Sequence, residues 1–101
     1  MSDFIKVTVL SEIPKGEGKL VEVDGREIAL YQHEGKVYAI DNICPHAGGP
    51  MAEGACNGEL AMCPWHGWEF NIKTGICDFN DQIRLECFEV KIEGEDVYVK
   101  A

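Results

Sequence analysis

The sequence predicts an all-β fold, an antiparallel β sandwich or barrel interrupted by a loop-rich insertion. Segments in which apolar and polar residues alternate fill both ends of the chain, as half-buried strands require. Between residues 44 and 67, glycine and proline recur too often for a long helix. A chain of 101 residues is too short for two hydrophobic cores. We therefore expect one domain over residues 1–101, with the insertion at about 43–72.

The first forty residues contain four candidate strands, at Phe4–Leu10, Lys19–Val23, Glu27–Gln32 and Lys36–Ile40. The dipeptides Asp24-Gly25 and Glu34-Gly35 separate the last three, and such pairs favour tight hairpin turns. We expect an antiparallel meander. Further strands are predicted at Glu59–Met62, Trp68–Ile72, Arg84–Ile92 and Asp96–Lys100, the last two as a closing hairpin.

The chain is acidic, with nine Lys and Arg against eighteen Asp and Glu and a net charge of -9. This charge disfavours nucleic acid and anionic membranes as partners and favours basic protein surfaces. No Lys or Arg lies between Val37 and Ile72. That stretch holds four acids, Asp41, Glu53, Glu59 and Glu69. It also holds the candidate metal ligands described below, so we expect the site to be surrounded by negative charge.

Neither a membrane span nor a secretory signal is predicted. No apolar run approaches the roughly 20 residues that cross a bilayer, and the opening residues lack the basic and apolar regions of a signal peptide. We expect a cytoplasmic protein. The five cysteines are odd in number and irregular in spacing, which indicates metal ligation rather than a disulfide framework. Cys56, Cys77 and Cys87 are expected to be free, buried thiols.

Two short segments each pair a thiol with an imidazole: Cys44-Pro45-His46 and Cys63-Pro64-Trp65-His66. Zinc accepts two Cys and two His, but its sites typically group the thiols at one end and the imidazoles at the other. Loops that each supply one thiol and one imidazole suit a two-iron centre with both thiolates on one iron. An all-cysteine plant-type cluster is disfavoured, because its C-x4-C-x2-C spacing is absent.

Glycines beside these ligands have an expected role of their own. Gly48, Gly49 and Gly67 allow backbone N–H groups to come close to the bridging sulfides of a cluster.

The segments Cys44-Pro45-His46-Ala47-Gly48-Gly49 and Cys63-Pro64-Trp65-His66-Gly67-Trp68 resemble the two cluster loops of the Rieske family. The resemblance extends over nearly the whole chain to soluble Rieske ferredoxins. It implies one 2Fe-2S cluster held by Cys44, His46, Cys63 and His66. It also implies electron transfer from a flavin-dependent NAD(P)H reductase to a terminal oxygenase or another oxidoreductase.

The resemblance also assigns residues around the cluster. In the high-potential respiratory branch, a Ser and a Tyr donate hydrogen bonds to the cluster, and the matching positions here are Trp68 and Phe70. Two missing bonds to a charged acceptor lower the potential by roughly 130 to 260 mV. We expect a low potential, roughly -150 to 0 mV. The two extra cysteines of that branch correspond to Gly49 and Trp65, so its disulfide is absent.

An electron carrier must bring its metal near a partner, so we expect the two histidines at an exposed tip. Pro45, Met51 and Trp65 are predicted to form a small apolar docking patch there, ringed by acids. The segment Asp78–Gln82, where ring-hydroxylating-system ferredoxins often carry a proline-bearing loop over the cluster, contains no proline.

Three functions remain open on the sequence. The first is a diffusing ferredoxin of a multicomponent oxygenase. The second is a small subunit bound to a larger reductase, such as nitrite reductase, and the third is a structural zinc domain. No substrate-pocket signature, phosphate-binding loop or nucleophile-base pair is present, so we expect no catalysis and no small-molecule substrate for this chain alone.

Overall fold

The computed structural model describes residues 4–44, 48–65 and 67–100. Within these ranges the chain forms eleven β-strands: β1 (Phe4–Val9), β2 (Lys19–Val23), β3 (Arg26–His33), β4 (Lys36–Asp41), β5 (Cys56–Asn57), β6 (Leu60–Met62), β7 (Glu69–Asn71), β8 (Ile76–Cys77), β9 (Asn80–Arg84), β10 (Cys87–Glu93) and β11 (Asp96–Lys100). Short 3-10 turns lie at Leu10–Glu12 and Met51–Glu53. The predicted all-β fold is confirmed.

Six strands form a large antiparallel sheet in the order β1-β11-β10-β4-β3-β2. The predicted meander holds for β2, β3 and β4 but is wrong for β1, which pairs with β11 along the register Phe4↔Lys100. Residues 10–18 separate β1 from β2 and include a 3-10 turn, so the connection is too long for a tight hairpin. The two ends of the chain therefore meet inside one sheet.

The other five strands form a smaller sheet in the order β5-β6-β7-β8-β9. Strands β5, β8 and β9 were not expected, and the predicted strand Arg84–Ile92 is interrupted after Arg84. The N–H of Leu85 donates to the Gly75 carbonyl in the smaller sheet, whereas the carbonyl of Glu86 accepts from the Asp41 N–H in the large one. The chain changes sheets between these two residues.

The two predicted hairpin turns are confirmed by their backbone angles. Asp24 and Gly25 have φ of 51° and 82°, and Glu34 and Gly35 have φ of 52° and 78°. Two successive residues with positive φ are typical of the type I′ turn, whose twist matches that of the flanking strands.

Strand β3 is buried on both faces and joins two hydrophobic clusters. Ile28 and Leu30 face a cluster within the large sheet that includes Val97 and Val99. Ala29 and Tyr31 point to the other side, as the period of two requires, into a cluster that underlies the loops before β5 and β7. That second cluster contains Cys44 and Cys63. No helix in the described part of the chain has the length and apolar character that crossing a membrane requires.

Gly54 connects the Met51–Glu53 turn to the smaller sheet. A Cβ there would lie against the carbonyl oxygen of Met62. Gly54 has φ of -90°, so the demand for glycine is one of space and not of backbone angle.

We therefore expect Gly54→Ala to lower the free energy of unfolding by about 1 to 3 kcal/mol or more, because backbone must move. The exposed neighbour Glu53→Ala is the control, and its effect should stay within about 0.5 kcal/mol. Urea unfolding followed by circular dichroism measures both. Equal stability of the two variants would contradict the close approach of Gly54 to the Met62 carbonyl.

Candidate metal centre

The first candidate loop leaves the large sheet at the end of β4. Ile43 and Pro50 face each other across its base as an isolated antiparallel bridge. The N–H of Cys44 donates to the Gly49 carbonyl at 3.0 Å, and the N–H of Gly48 donates to the Cys44 carbonyl at 2.8 Å. Of the predicted site residues in this loop, Pro45 and His46 lie outside the described residues.

The second candidate loop joins β6 to β7 in the smaller sheet. The N–H of Cys63 donates to the Trp68 carbonyl at 2.8 Å, and the N–H of Gly67 donates to the Cys63 carbonyl at 3.0 Å. His66 lies outside the described residues. Leu60↔Asn71 and Met62↔Glu69 pair directly below the loop, so the sheet register fixes where it begins and ends.

The two loops have the same internal hydrogen-bond pattern. In each, the cysteine N–H binds the carbonyl five residues later, and its own carbonyl accepts the N–H four residues later. The donor of that second bond is a glycine in the left-handed region, with φ of 74° at Gly48 and 75° at Gly67. Cys44 and Cys63 thus occupy equivalent positions in two equivalent loops, although the loops belong to different sheets.

The two loops touch at Gly49. A Cβ at this position would lie 2.7 Å from the Cys63 sulfur and 3.1 Å from Cγ of Trp65. Only glycine leaves room for such contact, so the loops could not approach each other in this way with any other residue at position 49. The side chain of Trp65 lies beside Gly49 and is 58% exposed.

Both thiols are buried, with Cys44 exposed by 1% and Cys63 by 0%. Beneath them lies Tyr31, whose hydroxyl donates to the Met51 carbonyl at 2.9 Å. Burial raises the pKa of Tyr31, and its electrostatic interaction with the nearby Cys56 and Cys63 side chains raises it further. Tyr31 therefore stays protonated and remains a hydrogen-bond donor to the segment that follows the first loop.

Within residues 4–44, 48–65 and 67–100, no three Cys, His, Asp or Glu side chains gather as metal ligands. The two predicted histidines are not in these ranges. The described residues provide a pair of buried sulfurs on equivalent, touching loops, each closed by its own backbone hydrogen bonds. This arrangement fits a cluster shared between the two loops, since each loop presents its donor in the same way.

The profile of the Rieske 2Fe-2S domain family matches residues 3–89 of the chain. The chain belongs to the Rieske 2Fe-2S domain family. The prediction of one Rieske-type 2Fe-2S cluster as cofactor is thereby confirmed.

Relatives of this Rieske domain include small ferredoxins. It is 39% identical over 98 residues to the ferredoxin component of the naphthalene 1,2-dioxygenase system of Pseudomonas aeruginosa, covering 95% of this chain and 93% of that protein. The ferredoxin of carbazole 1,9a-dioxygenase from Nocardioides aromaticivorans has a TM-score of 0.89 at 27% identity, over 97% of both chains. A chain from the complex of reduced oxygenase and oxidized ferredoxin in carbazole 1,9a-dioxygenase has a TM-score of 0.86 at 30% identity, over 98% of this chain and 94% of that one.

A Mycobacterium tuberculosis chain that is named as an NADH-dependent nitrite reductase small subunit also has this fold, with a TM-score of 0.87 over 95% of this chain and 92% of that one. At 19% identity the likeness extends to the fold alone.

Two aromatic residues of the Rieske domain lie next to the second loop. Phe70 is fully buried in the cluster that contains both thiols. Trp68 is half-buried, and its ring meets that of Phe79 edge to face, with 4.9 Å between the ring centroids. Phe79 is 62% exposed and was not singled out from the sequence. The feature of the sequence that could have identified Phe79 is a large aromatic residue within an otherwise polar turn.

The prediction that Met51 belongs to an exposed docking patch is wrong. Met51 is 0% exposed and packs in the cluster beneath the loops. Its N–H donates to the Asn42 carbonyl and its own carbonyl accepts from Tyr31, so the backbone holds it inside. Met51 helps to support the first loop instead of facing a partner.

The stretch without Lys or Arg in the sequence has basic side chains near it in the folded structure. Arg26 from β3 lies 3.6 Å from the Asp41 carboxylate, and Lys73 lies 3.4 Å from that of Glu59. Across the described parts of the chain, Glu53 and Glu69 have no ion-pair partner. Two of the four acids in this stretch therefore have a negative charge that no basic side chain among the described residues neutralises.

The remaining cysteines form no disulfide. Cys77 is buried as expected, but Cys56 is only half-buried and Cys87 is exposed, so the expectation of burial is wrong for these two. Cys87 opens β10, directly after the chain changes sheets, and lies at a surface. Partial burial raises the pKa of both Cys56 and Cys87, which keeps their thiols protonated at neutral pH.

We expect Gly49→Ala to lower the iron bound per chain about 10-fold, because its Cβ would meet the Cys63 sulfur. Gly48→Ala is the matched control. Its Cβ would meet nothing within 4 Å, so only the backbone angle is strained. Iron and acid-labile sulfide analysis of the purified variants measures the effect. Full cluster content in Gly49→Ala would contradict the contact between the loops.

Proposed function

We propose that this Rieske domain is a one-electron carrier whose 2Fe-2S cluster is held by Cys44 and Cys63 on one iron and by His46 and His66 on the other. The observation that carries the ligand assignment is the pair of equivalent loops that touch at Gly49 and bury both thiols. The histidines follow each cysteine by two or three residues in the sequence. Mixed thiolate and imidazole ligation of this kind defines the Rieske cluster.

When bound, the cluster supplies a one-electron couple at a higher potential than an all-thiolate cluster would, because two neutral imidazoles replace two thiolates. The residues of the chain bury the thiolates and exclude water from their side of the site. At Gly49 the space that a Cβ would fill lies against the Cys63 sulfur and the Trp65 ring, so glycine there would let both loops hold one cluster. Gly48 and Gly67 are exposed, so they belong to the rim of the site.

The proposed donor is a flavin-dependent NAD(P)H reductase and the proposed acceptor a terminal oxygenase. The relative at 39% identity is named as the ferredoxin component of a dioxygenase system, and a chain at 30% identity comes from an oxygenase-ferredoxin complex. A role as a nitrite reductase small subunit has weaker support, because that likeness extends to the fold alone. The net charge of -9 supports basic protein partners and disfavours nucleic acid and membranes.

We propose that the cluster-binding subdomain covers about 43–72 within a single domain of residues 1–101. The smaller sheet continues past it to Arg84. A cytoplasmic location is part of the proposal as well. Its support is that none of the five cysteines forms a disulfide.

The ligand assignment predicts about two irons and two acid-labile sulfides per chain, and a paramagnetic signal after one-electron reduction. His46→Cys should keep a coloured cluster but lower its midpoint potential, because a thiolate replaces a neutral imidazole. His33→Cys, at a turn of the large sheet, is the matched control and should change neither. A protein that binds zinc and stays colourless when given iron and sulfide without oxygen would sink the proposal.

We expect a midpoint potential of roughly -150 to 0 mV, because neither Trp68 nor Phe70 carries a hydroxyl that could donate to the cluster. Phe70→Tyr adds such a donor at a buried position and should raise the potential by up to about 65 to 130 mV. Phe79→Tyr, on an exposed ring, is the control. Potentiometric titration measures all three proteins. A wild-type midpoint well above about +100 mV would contradict the account of the potential.

We propose that Trp65 and Pro45 form the apolar part of the docking surface, with Glu53 and Glu69 as its charged rim. Trp65 is exposed and lies beside the contact between the loops. Trp65→Ala should slow electron transfer to the partner oxygenase about 10-fold and leave the midpoint potential unchanged. Ile92→Ala, which removes a partly exposed apolar side chain near the β10–β11 turn, is the control. Equal rates for both variants would refute the docking role.

A further inference from the structure

Asn42 is a buried polar residue between β4 and the first cluster loop. Its side chain is only 1% exposed, and it stands two residues before Cys44. A buried amide is costly unless each polar group finds a partner. The partners of Asn42 are therefore informative about its role.

All four polar groups of Asn42 are hydrogen-bonded. Its N–H donates to the Glu27 carbonyl at 3.1 Å, and its own carbonyl accepts the Met51 N–H at 2.7 Å. Its side-chain Nδ2 donates to the carboxylate Oε1 of Glu27 at 3.0 Å. Its Oδ1 accepts the Ala52 N–H at 2.8 Å.

These bonds join three separate parts of the chain. Asn42 precedes the first loop, Met51 and Ala52 follow it, and Glu27 lies near the start of β3. The entrance and exit of the loop are thus fastened to each other and to a central strand through one side chain. Few of the ordinary side chains can replace it, because the position needs an N–H donor and a carbonyl acceptor on one short planar group.

We propose that Asn42, held by Glu27, is a positioning residue for the first cluster loop: it fixes the geometry in which Cys44 presents its sulfur. This inference rests on the proposed function. The hydrogen-bond partners of Asn42 are Glu27, Met51 and Ala52, so it acts through the loop that it closes. An outer partner of this kind commonly changes metal retention and the electronic properties of the centre.

Exchanging the amide at position 42 and the carboxylate at position 27 tests the proposal. Asn42→Asp removes the donor and sets two carboxylates against each other, so cluster loss under a chelator should be about 10-fold to 100-fold faster. Glu27→Gln alone keeps a carbonyl oxygen for Nδ2 and should resemble the wild type. The double variant N42D/E27Q restores a donor, now on Gln at position 27, and an acceptor at position 42. Its cluster lifetime should return to within a few-fold of the wild type.

Glu22 provides the matched control, since it lies directly opposite Glu27 in the pairing of β2 with β3. N42D/E22Q has the same net charge as N42D/E27Q but offers Asp at position 42 no donor from position 27. If both double variants recover equally, the effect is one of charge alone and the proposal is overturned. Recovery in N42D/E27Q alone supports it.

The electron paramagnetic spectrum and midpoint potential of the cluster-loaded fraction separate positioning from mere stability. Both should change in Asn42→Asp and return in N42D/E27Q. Should Asn42→Asp fail to fold, Glu27→Ala and Glu27→Gln test the same hydrogen bond from the exposed residue Glu27. A shorter cluster lifetime is expected only for Glu27→Ala. Unchanged spectra in every loaded variant would overturn the inference. A wild type without a cluster would instead refute the proposed function.

Discussion

The contact between the two loops at Gly49 is the constraint on which the site depends. One loop leaves the large sheet and the other belongs to the smaller sheet, yet the backbone of the first lies against the Cys63 sulfur of the second. A cluster ligated by both loops requires this proximity. The equivalent hydrogen bonds at Cys44 and Cys63 then present two thiols in the same way. A β-carbon at position 49 would separate the loops and remove the basis of shared ligation.

The rest of the fold holds these loops in place. Strand β3 packs into both hydrophobic clusters, and its Tyr31 and Glu27 reach the segments on either side of the first loop. Strands β6 and β7 pair directly below the second loop. The two sheets are joined where the chain passes from Leu85 to Glu86, one residue bonded to each sheet. Strands from both sheets therefore fix the ends of the two loops.

Local patterns in the sequence were enough to predict the hairpins at Gly25 and Gly35, the closing hairpin and the loop-rich centre. Pairing between distant parts was not predictable in the same way. The partner of β1 depends on a connection too long for local rules, and β9 begins with Asn80, Asp81 and Gln82, which show no apolar alternation. The two cysteines could be singled out as candidate ligands from their spacing, whereas the burial of Met51 arises from hydrogen bonds made by distant residues.

Asn42 was missed because a polar residue directly after a strand usually indicates a turn. Its hydrogen bonds, like those of Met51, are made with residues that are distant in the sequence. The proposed ligation places two chemically different irons in one site built from two equivalent loops. Mössbauer spectroscopy of the oxidised protein loaded with iron-57 tests this most directly. We predict two iron signals of equal intensity, one typical of sulfur ligands only and one of mixed sulfur and nitrogen ligands. A single type of iron, whether tetrathiolate or mononuclear, would contradict it.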